Sequence, residues 1–138
     1  MDGSDGTIAL LAKVPGGAEA IAMLGDDLEF GDAEVVSLHL DRDANSKLRL
    51  ALPWKQCHII FVLDYWVDVQ LAGFSRQNVI GGMRLRRLPG RSPGPWELGV
   101  GFEPGDVEIE LSPCYGANGT IRGRIVGVEL EPMKPAEF

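Results

Sequence analysis

The stretch Phe74-Ser75-Arg76-Gln77-Asn78-Val79-Ile80-Gly81-Gly82 lies between two runs that alternate apolar and polar residues. Before it, Val67, Val69 and Leu71 alternate with Trp66, Asp68 and Gln70; after it, Met83 and Leu85 alternate with Arg84 and Arg86. A period of two marks a strand with one buried face, so the join reads as a hairpin or bulged corner. Gln77 and Asn78 carry donors and acceptors suited to backbone groups at a corner. Phe74, Val79 and Ile80 are expected to plug the core beneath, while Gly81 and Gly82 permit a bulge.

The same period extends to either side. Val36, Leu38 and Leu40 alternate with Ser37, His39 and Asp41, and Leu48, Leu50 and Leu52 with Lys47, Arg49 and Ala51. Asp41 to Ser46 between them is turn chemistry, which predicts an antiparallel hairpin ended by Pro53, a residue without an amide hydrogen. His58 to Leu63 is apolar on both faces, as in a strand buried on both sides, and Asp64-Tyr65 reads as a bend. Further alternation appears at Trp96–Glu103, Val107–Leu111 and Ile121–Leu130, with Leu88–Pro95 as a loop rich in Pro, Gly and Ser. About eight strands in one domain predict a mainly β fold, an antiparallel sandwich or partly open barrel.

Only the N-terminal segment departs from this pattern. Residues 1–7 are small and polar and read as frayed, and Ile8–Val14 as a short strand or extended arm. Pro15–Leu24, stopped by Gly25, reads as the single short helix. The chain therefore divides into an arm and helix (1–27), a β core (28–132) and a polar tail (133–138).

Composition narrows the function. The 20 acidic residues outnumber the 13 basic ones and leave a net charge of −7, which disfavours nucleic acid, whose phosphates need a basic footprint. The N-terminus is acidic and its apolar run too short for a secretory signal. No stretch reaches the length of a membrane span, and a cytoplasmic protein is expected. Cys57 and Cys114 are the only cysteines, and with His39 and His58 they lack the spacing of a metal site; two free thiols are expected, with no cofactor. Asp32 and Glu34 sit two apart, but paired carboxylates act in catalysis only at a defined separation in a cleft. Gly99-Val100-Gly101 lacks the third glycine of a nucleotide loop, and no serine sits in a nucleophile elbow. A catalyst is not expected.

The acidic row Glu97, Glu103, Asp106, Glu108 and Glu110 falls on the polar phase of adjoining strands. Like charges facing one another cost stability unless compensated. Arg84, Arg86, Arg122 and Arg124 are strand-borne too and are expected to pair with them. The sharper alternative is a docking face for a basic partner, with Trp66 as its exposed aromatic.

Three segments together resemble the immunity protein fifty family of bacterial polymorphic toxin systems. They are Phe30-Gly31-Asp32-Ala33-Glu34-Val35-Val36-Ser37-Leu38-His39-Leu40-Asp41-Arg42, Gly73-Phe74-Ser75-Arg76-Gln77-Asn78-Val79-Ile80, and Cys114-Tyr115-Gly116-Ala117-Asn118-Gly119-Thr120-Ile121. Their order and spacing cover about residues 28–132. Gly31 stands where the family pattern often has histidine, so no role of that histidine carries over. The resemblance implies a protein that binds and neutralises a cognate toxin without catalysis, with Asp32, Glu34, Phe74, Gln77, Asn78, Tyr115, Gly116 and Gly119 in its structural motif. An acidic inhibitor suits a toxin with a basic surface. Two alternatives remain: a small ligand-binding or enzymatic β-barrel, and a module that dimerises through an exposed edge strand.

Overall fold

A computed structural model describes residues 3–25, 30–88 and 105–133. The described residues form two helices, α1 (Gly3–Ala12) and α2 (Gly17–Leu24), and six strands. The strands are β1 (Glu34–His39), β2 (Ser46–Leu52), β3 (Cys57–Ala72), β4 (Val79–Arg87), β5 (Val107–Tyr115) and β6 (Asn118–Pro132). They close into an antiparallel barrel in the order β1-β2-β3-β6-β5-β4. The expected barrel architecture is therefore present. The segment expected as a strand at Trp96–Glu103 lies outside the described residues, as do the tail 134–138 and most of the loop at Leu88–Pro95.

Two pairings differ from the sequence reading. The runs flanking Phe74–Gly82 are not hairpin partners, since β6 and β5 separate β3 from β4. The stretch instead crosses one end of the barrel. The segments before and after Asp64-Tyr65 form one 16-residue strand paired with β6 along its whole length. Register shifts fall at Val62/Leu63, Leu63/Tyr65 and Trp66/Asp68. Each bulge bends and twists the strand, so the expected bend is realised inside a continuous β3. β2 pairs with the first part of β3 alone, residues 57–63.

Leu48, Leu50 and Leu52 are fully buried, as their alternation predicts, together with Ile59, Phe61, Ile109, Leu111 and Ile121. Phe30 and Phe61 meet as tilted rings with centroids 6.4 Å apart. Side chains thus fill the interior, as expected of a small barrel. In β1 the phase slips, because a register shift between Val35 and Ser37 inserts an extra residue. Val35 turns inward and Val36, expected inside, is 46% exposed. That bulge also blunts the free edge of β1, which makes it a poor template for strand pairing.

The N-terminal segment is a helix where a frayed end followed by an arm was expected. Two glycines in ten residues lower the intrinsic helix propensity of α1, and packing makes up the difference. Thr7 and Leu11, one turn apart, are buried against the barrel, and Thr7 Oγ1 accepts a hydrogen bond from Leu85 N–H at 3.1 Å. That donor lies on the edge of β4 that β1 leaves unpaired. In the same way Pro15 O accepts from Val128 N–H on β6 at 2.8 Å. α2 follows where expected, with Gly17, Ala20 and Leu24 as its buried stripe. Gly25 N–H donates to Ile21 O at 2.8 Å to close its C-terminus. The helix pair covers the mouth between β4 and β6.

Candidate functional site

The barrel order places β4, β5, β6 and β3 side by side, and residues directly opposite share a face. One row is Arg86–Glu108–Arg122–Asp68 and the next contains Arg84–Glu110. Glu108 accepts from Arg86 Nη2 at 3.0 Å and from Arg122 Nε at 2.8 Å. Arg84 Nη2 donates to Glu110 Oε1 at 2.6 Å. Asp106 is fully buried, accepts from the Tyr65 hydroxyl, and lies 3.3 Å from Arg124 Nε. The row expected to face solvent is therefore a lattice of ion pairs in which Asp106 and Glu108 are buried beneath arginines. Compensation governs this face: burying Glu108 is tolerable only with both guanidiniums in place. Glu97 and Glu103 lie outside the described residues. Trp66 is 38% exposed, but Trp54 at 45%, Phe74 at 54% and Tyr115 at 61% exceed it.

At one end of the barrel residues 30–42, 73–80 and 114–121 come into contact. Asn78 joins them. Its Oδ1 accepts from Ser75 N–H at 2.9 Å and from Ala117 N–H at 3.0 Å, and its Nδ2 donates to Ser75 O at 3.0 Å. Its backbone oxygen accepts from Val35 N–H at 2.7 Å. Ile80 adds the remaining bonds, accepting from Asp32 N–H and donating to Ala33 O, each at 2.9 Å. Gly116 approaches so closely that a Cβ there would sit 2.6 Å from Asn78 Oδ1. The corner role expected of Asn78 and the bulge expected at Gly81 are both present, the latter as register shifts flanking Ile80. Phe74 differs: it points to solvent and does not plug the core, a task that Ile80 performs at full burial. Asn78→Ala should lower stability by about 1–3 kcal/mol, because Ala117 N–H loses its partner. Chemical denaturation measures this, and an unchanged midpoint would show that water replaces the side chain.

The barrel seam runs through the same end. Glu34 of β1 stands opposite Val79 of β4, which stands opposite Tyr115 of β5; on the other side Glu34 faces Ala51 and Ala51 faces His58. This outer row carries a shallow groove of about 370 Å³. Its floor includes Ala51, Val79 and Met133, and its rim Asp32, Glu34 and Gln77. His58 forms one wall, with Nδ1 2.8 Å from Arg49 Nη1. Arg49 in turn pairs with Glu131 at 3.2 Å. No ion pair of Asp32 or Glu34 occurs among the described residues. Asp32 has φ +70°, a conformation that Asp tolerates better than most residues. It marks the tight entry to β1.

Among the described residues no group of three or more His, Cys, Asp or Glu side chains is placed to hold a metal ion. Cys57 and Cys114 are free thiols. Burial pushes the Cys57 thiol up, which disfavours the nucleophilic thiolate. No described helix is long and apolar enough to cross a membrane. The groove was missed in the sequence because its lining comes from five separate segments. Its one visible signal was the Asp32–Glu34 pair. Comparison of the chain with models of known families, with characterised proteins and with solved structures found no match.

Proposed function

We propose that this chain is a bacterial immunity-type protein that binds a cognate toxin in the cytoplasm and neutralises it without catalysis. The observation that carries the reading is the convergence of the three resembling segments. Residues 30–42, 73–80 and 114–121 are distant in sequence, yet they are tied to one another through Asn78 and Ile80 at one barrel end. The net charge of −7 suits a basic toxin through steering and complementarity.

The product of the adjacent open reading frame is the partner to test. Co-expression should relieve its toxicity, and the two purified proteins should co-elute at low salt and separate as salt rises. Absence of both rescue and complex would overturn the reading.

One observation favours a second reading, a small-ligand barrel. A cleft of about 630 Å³ beside α1 is lined by apolar Leu10, Val14, Leu85 and Ile125, with Lys13 and Arg87 also in its wall. Such a cleft suits an anionic amphiphile. A rise in melting temperature with a medium-chain fatty acid, absent with the matching alcohol, would support it.

A further inference from the structure

We propose that the seam groove is the docking surface for the partner, and that it receives a lysine- or arginine-bearing segment of that protein. This rests on the immunity-type reading and adds the face and the chemistry. The ion-pair lattice of β4, β5 and β6 is the face that the acidic sequence suggests first, but its carboxylates are already engaged. Glu108 holds two arginines and Glu110 one. A basic partner there would have to displace guanidiniums that already pair with these carboxylates, one of them buried.

At the groove, charge and apolar surface are both available. Asp32 and Glu34 border an apolar floor without an ion partner among the described residues, and Gln77 adds a neutral donor and acceptor. Val36 lines it at 46% exposure, and Tyr115, an exposed aromatic of the kind on which interfaces concentrate binding energy, stands across from Val79 in the strand register. A long cationic side chain suits both parts, its methylenes on the floor and its charge at the rim.

The backbone of the groove is tied in place: Val35 N–H donates to Asn78 O, and Ile80 bonds Asp32 N–H and Ala33 O. A surface that loses little freedom on binding keeps more of its contact energy as affinity.

The probe is the blocked peptide Ac-Ala-Arg-Phe-Arg-Ala-NH2, titrated into the isotopically labelled full chain at low salt and followed by amide resonances. Saturable shifts at Glu34, Ala51, His58, Gln77 and Val79 are expected. Asp32→Asn/Glu34→Gln should weaken binding at least fivefold and Glu110→Gln should leave it unchanged, with thermal melts confirming that both fold. Shifts centred on Arg86, Glu108 and Arg122, or equal affinity for the double variant, would overturn the proposal. The adjacent-gene product supplies the second arm. If it binds the double variant as tightly as the native chain, this face is wrong while the immunity reading stands. If the peptide maps to the groove but that product neither binds nor is neutralised, the groove stands and the immunity reading falls.

Discussion

Gly119→Ala is expected to lower the free energy of unfolding by about 2–6 kcal/mol, the sum of backbone strain and overpacking. Gly119 has φ +133°, a region that glycine enters freely and residues with a Cβ do not. The added methyl would also lie 2.0 Å from Gln70 O and 3.0 Å from Leu71 Cα. Both are strand backbone of β3, so neither can swing aside as a flexible side chain would. Gly25→Ala is the matched control. Its φ is +87° with ψ 176°, and no described atom lies within 4 Å of the new methyl, so it should show the strain alone, about 1–3 kcal/mol. Urea denaturation of both variants measures the difference. Equal losses would show that β3 and β6 spread apart to admit the methyl at little cost.

The second large effect is in the interior. Phe61→Ala should cost about 3–5 kcal/mol through lost burial and the cavity left behind. That loss corresponds to a fall in melting temperature on the order of 10–15 °C for a domain of this size. Phe61 is fully buried and packs on Phe30, which leads into β1. Leu130→Ala, at a position 37% exposed, should cost under about 1 kcal/mol, in the range of surface changes. A small loss for Phe61→Ala would show that the core collapses into the space.

Where one face of a strand is buried and the other is wet, the sequence states it directly. Leu48, Leu50 and Leu52 announce β2, and Pro53 announces its end. The ion-pair lattice was legible for the same reason, since arginines and carboxylates occupy the polar phase of neighbouring strands. What alternation cannot state is which strand lies beside which. The join at Phe74–Gly82 reads as a hairpin or a bulged corner, and only the corner is present, since β3 pairs with β2 and β6 and β4 with β1 and β5. α1 was hidden because its glycines argue against a helix and its support comes from Leu85, far along the chain. The groove was hidden because register, set by bulges in β1 and β4, decides which side chains share its row.

The long β3–β6 pairing bears on how fast the molecule assembles. Cys57 faces Pro132 and Ala72 faces Asn118, so all of β4 and β5 belongs to the loop of chain that this pairing closes. The same holds for α1, whose Thr7 waits for Leu85. Consecutive strands pair in β1–β2, β2–β3, β4–β5 and β5–β6, but closing the barrel needs the distant β3–β6 and β1–β4 pairs. Loop-closure entropy is spent before most native pairs return anything, which places refolding on the millisecond-to-second scale of non-local β proteins and not among fast helical folders. The barrel is closed only once β3 and β6, which meet across two intervening strands of sequence, have paired.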